Sequence, residues 1–359
     1  MKRIVALLRS TLVAVSATAL SGCYLLTQAG GQIDILLHSR SIDEMMDDPS
    51  VSSAIKEKLR LVGEIKAFGE REMGLTPSNN YTTFYDTAGK PITYIVTACP
   101  KDSFRAYTWW FPIVGEVPYK GFFHRDDAIA EARALESLGY DVSLGSASAY
   151  STLGYFKDPV LSTMLRYSEE ELVSLILHEL THGTIYLPGG ADFNEGLASF
   201  VGWQGALEFA RRRHGVDSVA YERTVQAFAD EQSRDARARK LFESLQHLYR
   251  SSVSRNEKLA ERERIFAAYR TERRKEFEVA RDEFMGRVRR GQAGESERIA
   301  TAARLRELEA SIPEGPVNNA VVLHQRRYGR YDEFRALFER AGGDWPSFFR
   351  QLRGGDLKP

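Results

Sequence analysis

Cysteine is almost missing from this chain. Among 359 residues only Cys23 and Cys99 carry a thiol, so no internal disulfide framework can form, and Cys99 is expected to pack as a small apolar side chain. Net charge is missing too: 49 basic residues are cancelled by 49 acidic ones, which removes the basic excess expected of a nucleic-acid-binding protein. The apolar stretch near the N-terminus, Thr11 to Leu20 with Arg9 beside it, is too short for the ~20 residues of a membrane-spanning helix. The 43% of hydrophobic residues is enough for a large core, expected as one catalytic unit with an appended or inserted segment.

The stretch from Ser168 to Val201 concentrates the residues able to do chemistry. Its first part reads SEEELVSLILHELTHGT, and a helix is expected there. Ser168 and Glu171 form a capping box, Glu169 and Glu170 sit at the positive end of the helix dipole, and Leu172, Leu175, Ile176 and Leu180 make an apolar face. His178 and His182 are four residues apart, so both imidazoles project from one side and can grip one ion. Glu179, between them, is placed to take a proton from a water at the metal, which is the nucleophile in this arrangement. A catalytic zinc commonly has three protein ligands and an open position. Glu195 is the best candidate for the third, because Leu187-Pro188-Gly189-Gly190 supplies a helix stop and a turn from which a second helix can return it toward the histidines. A solitary His-Glu-x-x-His also arises by chance on charged helices; here the loop and the following Asn194-Glu195 pair argue for a site holding one Zn2+.

HELTH followed by FNEGLASFVG resembles the gluzincin metallopeptidases, whose third ligand is the glutamate of an Asn-Glu-x-x-Ala element matched here by Asn194, Glu195 and Ala198. The resemblance implies an oxyanion donor downstream of that ligand, with Tyr328 the first choice and Tyr331 and His324 behind it. It also implies an edge strand ahead of the metal helix that aligns the substrate backbone. The polar stretch SASAYSTLGYFKDP occupies that place, so Tyr150, Gly154 and Tyr155 are nominated as cleft residues, an ordinary sheet strand being the alternative. Asn318 and Asn319 either cap the last helical part or hydrogen-bond a substrate backbone, and Asn319 is counted among the substrate-binding candidates. In thermolysin-like enzymes an aspartate four residues after the glutamate ligand orients a histidine; Ser199 stands there in this chain, leaving Asp192 or another acid for the task.

Residues 1–22 read as a removable signal: Lys2 and Arg3, a short apolar stretch, then Leu20-Ser21-Gly22-Cys23. This resembles the lipobox of bacterial lipoproteins, which implies cleavage before Cys23 and acylation of that residue, with ordinary secretory cleavage as the alternative. Buried acyl chains contribute about 0.8 kcal/mol per methylene, so the protein is expected to be held on a membrane of the bacterial cell envelope, facing the periplasm. Tyr24, where an aspartate would retain a lipoprotein in the inner membrane, favours the outer membrane by the same resemblance.

The remainder divides by texture. Residues 23–215 are expected to hold a helical N-terminal segment, a strand region and the metal-binding helices. In the strand region, Tyr81 to Asp86 and Ile92 to Ala98 are read as a hairpin about Ala88-Gly89-Lys90, followed by a strand from Tyr107 to Phe111 and a helix from Asp126 to Leu138. Residues 216–312 are heavily charged in both signs and read as a long helical hairpin reversing near Ser251-Ser252, with solvated outer faces. Residues 313–359 return as a helical part that completes the core. The fold class is therefore α+β: a gluzincin-like core with a small, mostly antiparallel sheet beside the zinc helices, plus the hairpin.

Taken together, AYSTLGYFKDPVLSTML, HELTH, FNEGLASFVG and the late NNA element resemble a family of predicted bacterial aminopeptidases carrying a lipoprotein signal. The resemblance implies a zinc-dependent peptide hydrolase, an aminopeptidase rather than an endopeptidase, with peptide as its partner, no nucleic acid, and no protein partner indicated. An aminopeptidase needs an acidic group for the substrate's α-ammonium, and Asp158 and Glu116 are the candidates. A different class is a lipoprotein whose zinc is structural and whose helical arms are a binding or scaffold surface.

Overall fold

The computed structural model describes residues 30–111, 115–146, 157–291, 317–326 and 330–354, with isolated positions 294, 301, 302, 305 and 309. Helix predominates, three small sheets complete an α+β arrangement, and the described residues form no barrel. Among them no helix is long and apolar enough to cross a membrane.

The chain enters through a helical stretch at residues 30–38, strand β1 (Arg40–Ser41), helix α1 (Ile42–Asp47) and helix α2 (Ser53–Arg71). Ser52 caps α2 by accepting the Ile55 N–H at 3.4 Å, and Leu59, Val62 and Ile65, at three-residue steps, bury one face. The strands that follow are β2 (Thr83–Tyr85), β3 (Tyr94–Pro100), β4 (Trp109–Phe111), β5 (Gly115–Val117) and β6 (Lys120–Phe122). After helix α3 (Arg125–Ser137) come β7 (Tyr140–Ser146) and β8 (Val160–Leu161). They make three sheets, β1-β2-β8, β6-β3-β7 and β4-β5, and of the pairings only β2 with β8 is parallel.

The expected hairpin between residues 81–86 and 92–98 does not form. The turn is present, with Ala88 and Gly89 at φ +51° and +75°, but β2 pairs with β1 and β8 while β3 pairs with β6 and β7. Thr87 explains the divergence: its N–H donates to Ser162 Oγ at 3.0 Å, tying the end of β2 to β8. The turn residues fix a chain reversal, whereas the partners are chosen by longer ladders elsewhere. Helix α3 covers the second sheet, its Ala128, Ala132 and Leu135 packing with Val96, Ala98 and Phe122 in a separate small core.

Helices α4 (Glu169–Thr184) and α5 (Ala191–His214) form the centre of the main core, joined there by α9 (Tyr331–Arg340) and α10 (Trp345–Gly354) from the end of the chain. Phe200 on α5 meets Tyr331, Phe334, Phe338, Trp345 and Phe348 with ring centroids 5.1–6.3 Å apart, so late aromatic residues lock onto the back of the metal-motif helix pair. Between them lie the two arms, α6 (Val219–Arg250) and α7 (Arg255–Arg289). The reversal comes where Ser254 and Glu257 form a capping box. Leu241, Phe242 and Leu245 close on Phe266 near the body of the protein, while much of α7 beyond residue 274 is exposed.

A buried polar clamp ties the arms to the second sheet. Arg262 donates to Asp141 at 2.5 Å, and the backbone N–H of Asn319, at the start of α8 (Asn319–Arg326), donates to the same carboxylate at 2.9 Å. The Asn319 side chain donates to the Pro100 carbonyl at 2.9 Å and accepts from the Tyr249 hydroxyl at 2.7 Å. Asn319 is fully buried and both ends of its amide are spent on this clamp. It therefore has nothing to offer a substrate backbone, and the substrate-binding expectation for it is corrected to a packing role. Asn318 does cap, accepting the Val321 N–H at 3.1 Å.

Candidate metal centre

Local chemistry sets up the first site helix as the sequence implies. The Ser168 hydroxyl accepts the Glu171 N–H at 3.3 Å while the Glu171 carboxylate accepts the Ser168 N–H at 3.0 Å. Leu172, Val173, Ile176, Leu177 and Leu180 are all buried, which fixes the rotation of α4 and turns His178 and His182 the other way.

The loop to α5 is closed by Asn194. Its side-chain oxygen accepts the Leu187 N–H at 2.8 Å and its amide donates to the Leu187 carbonyl at 2.9 Å, and Gly189 takes the left-handed φ of +76° that the turn requires. This is the physical use of asparagine ahead of Glu195: it staples the incoming loop to the first turn of α5 and thereby sets the depth at which the glutamate sits.

Close approach of the helices does the rest. A Cβ built on Gly202 would stand 2.6 Å from the Ser174 carbonyl oxygen and 3.4 Å from His178 Cβ, so only glycine lets α5 lie this near to α4. Gly202→Ala is expected to force the helices apart, costing about 1–3 kcal/mol as overpacking does, and to weaken metal binding because Glu195 moves away with α5. Thermal unfolding and a zinc titration would check this; an alanine variant with unchanged stability and zinc affinity would contradict it.

Three donor atoms converge in the gap. Nε2 of His178 and Nε2 of His182 stand 3.3 Å apart, and Glu195 Oε2 lies 3.3 Å from the first and 3.8 Å from the second. These residues make the one group of its kind among the described residues able to hold a metal ion, with all candidate ligand atoms within 4.8 Å of one another. Zinc–donor bonds of about 2.0–2.1 Å give a tetrahedron edges of ~3.3–3.4 Å. Two of the three spacings have that length and the third is slightly longer, so the donor set fits one face of a four-coordinate zinc.

The electrostatics suit the same chemistry. Burial, helped by the His178 imidazole, pushes His182 down to about 4, so it is neutral at physiological pH with its lone pair available. Burial also works to lower His178, but its hydrogen bond to Glu195 and the charges of Glu179, Glu195 and Glu231 outweigh that effect and raise it. Burial raises Glu179 to about 7; His178 opposes the shift, while Glu195 and Asp158 add to it. A carboxylate titrating near neutrality can both accept and return a proton.

The other sequence-nominated residues fall less neatly. Tyr328, Tyr150, Gly154, Tyr155 and Cys23 lie outside the described residues. Tyr331 is buried and donates to Gln204 Oε1 at 2.9 Å, a packing role beside Phe200, and His324 lies on α8. Asp192 pairs with Arg326 at 3.7 Å on the surface. Glu116 is exposed on strand β5 and accepts from Thr108 at 3.3 Å, whereas Asp158 is almost completely buried and acts electrostatically on Glu179. Two residues coupled to the site only through electrostatics had no signal in the sequence. Glu231 belongs to an arm that reads as solvated yet acts on His178, and Tyr81, read only as the beginning of a strand, is buried with Glu179 as one of the charges acting on it.

Compared with known proteins, the chain matches a family model described as "Putative aminopeptidase" over residues 23–356. No curated protein and no solved structure matches the chain.

Proposed function

Because the chain belongs to this putative aminopeptidase family, we propose that it is a zinc-dependent hydrolase that removes residues from the N-termini of peptides on a gluzincin-like core. In this reading His178, His182 and Glu195 hold a single Zn2+, and the observation that carries it is the meeting of their three donor atoms at spacings of 3.3–3.8 Å. Zinc in such a set acts as a Lewis acid that acidifies a water and polarises a carbonyl. The rest falls to the chain. Glu179 takes a proton from the attacking water and returns it to the amine nitrogen as the peptide bond breaks, so water is divided between the new acid and the new amine.

Tyr328 is proposed as the donor to the oxyanion, and the segment containing Tyr150, Gly154 and Tyr155 as the strand that aligns the peptide. Cleavage before Cys23 and its acylation would hold the enzyme on the periplasmic side of the outer membrane.

The test is metal stoichiometry joined to activity. Purified protein should bind one zinc ion per chain, lose hydrolysis when a chelator removes it and recover when zinc returns, and His182→Ala should lose both zinc and activity. Unchanged zinc content in His182→Ala would remove that residue from the ligand set. Zinc retained without hydrolysis of any peptide in a broad library would make the site a structural one.

A further inference from the structure

The helical stretch at residues 30–38 is fixed to the body of the protein by one side. Ile35 is buried in the main core and Gln32 is buried as well, while a Cβ built on Gly31 would stand 2.4 Å from the Phe123 ring, so this side of the helix is closely packed. Asp34, on the flank, accepts the Tyr85 hydroxyl at 2.6 Å. Ser39 ends the helix, its N–H and its hydroxyl both donating to the Ile35 carbonyl, at 3.0 and 2.6 Å. Together these contacts set the rotation of the helix.

At 3.6 residues per turn, the face opposite Gly31 and Ile35 is that of Ile33, Leu36 and Leu37. These three are 54%, 44% and 74% exposed. A single exposed leucine is ordinary on a protein surface, but three large apolar side chains on one helix face, at steps of three and four, form a patch that asks for a cover. Its place in the chain says which cover. Only six residues separate Gly30 from Cys23, and those seven steps of chain reach ~25 Å at most when fully extended. An acylated Cys23 therefore keeps the start of this helix within that distance of lipid, at a high effective concentration. Lipid accepts an apolar helix face at the boundary of headgroups and acyl chains, and a stripe too small to bind a membrane firmly by itself suffices as a second contact beside an anchor.

We propose that Ile33, Leu36 and Leu37 are a membrane-docking surface: they enter the interfacial layer of the bilayer that holds the anchor and seat the folded body on the lipid, instead of leaving it to swing on its tether. Their nearness to lipid rests on the acylation of Cys23 proposed above.

Co-sedimentation with phosphatidylcholine vesicles tests this on the mature chain, residues 23–359, carrying Cys23→Ser so that no acyl chain contributes. That protein is expected to pellet increasingly as lipid is added. Adding Leu36→Glu and Leu37→Glu together should lower its partitioning about 10-fold or more, while Leu37→Phe keeps it. Both positions are exposed, so the melting temperature of the Glu variant should be unchanged. Protein that stays in the supernatant at every lipid concentration would overturn the proposal, as would equal partitioning of the Glu variant. A lowered melting temperature in that variant would mean that another part of the chain covers the stripe, and a protein dimer dissolved by the two substitutions would make a second copy its occupant; either result overturns the proposal too. Acylation is read separately, from the mass of the N-terminal peptide of wild type extracted from membranes. An unmodified Cys23 there would sink the anchor, while sedimentation of the acyl-free chain still decides the stripe.

Discussion

Glu179→Gln should lower peptide hydrolysis by about 10²–10⁴-fold, the span that a general acid–base contributes, and leave the zinc in place. Glutamine keeps the length of the side chain and the helix propensity of the position, so α4 and its capping box are undisturbed. What it loses is the ability to take a proton. Glu179 is not one of the three residues whose donor atoms meet, so metal content should be that of wild type. Rates equal to wild type would remove Glu179 from the mechanism, and loss of zinc would place it among the ligands instead.

The second large effect is one of stability and lies away from the metal. Arg262→Ala is expected to cost about 3–5 kcal/mol, the usual consequence of breaking a buried ion pair by removing one partner. Arg262 and Asp141 are both nearly inaccessible to solvent, and without the guanidinium the Asp141 carboxylate keeps only the Asn319 N–H among the bonds of the clamp described above. The damage should spread, because this clamp joins arm α7, strand β7 and the start of α8 at one point. Urea unfolding of the variant would measure it; a loss below about 1 kcal/mol would mean that the pair is solvated and contributes as surface pairs do. Arg262→Met tests the same clamp differently, since replacing one charge by an apolar chain of similar length still leaves Asp141 uncompensated and should cost a similar amount.

The metal motif was legible in the sequence because each of its parts is local. Two histidines four residues apart share a face wherever the helix goes, Ser168 and Glu171 cap it within a single turn, and Pro188 with Gly189 stops it. Glu195 needed one further step, the return of a second helix, and the composition of the loop carried that. Reversal of the arms near residue 251 was legible for the same reason. Partners distant in sequence were not. Nothing around Ala88 and Gly89 says that β2 will pair with β8, some seventy-five residues away by the Thr87–Ser162 bond, instead of with β3. Asn319 looked like a polar residue at a helix start, and its burial against Pro100 and Tyr249 depends on where the second sheet lies. Tyr81 carries a left-handed backbone that glycine or asparagine would have signalled, but tyrosine does not. Glu231 sits in an arm whose mixed charges conceal the one that acts electrostatically on His178.

The central claim is that three converging ligands and Glu179 remove N-terminal residues, and product profiling tests it most directly. The zinc-loaded protein would be incubated with one set of peptides bearing free N-termini and with the same set acetylated. Single residues released from the free peptides, with the acetylated ones left intact and the Glu179→Gln protein inactive on both, is the predicted result. Internal cleavage that ignores acetylation would contradict the aminopeptidase assignment, and no cleavage of either set would contradict the enzymatic reading itself.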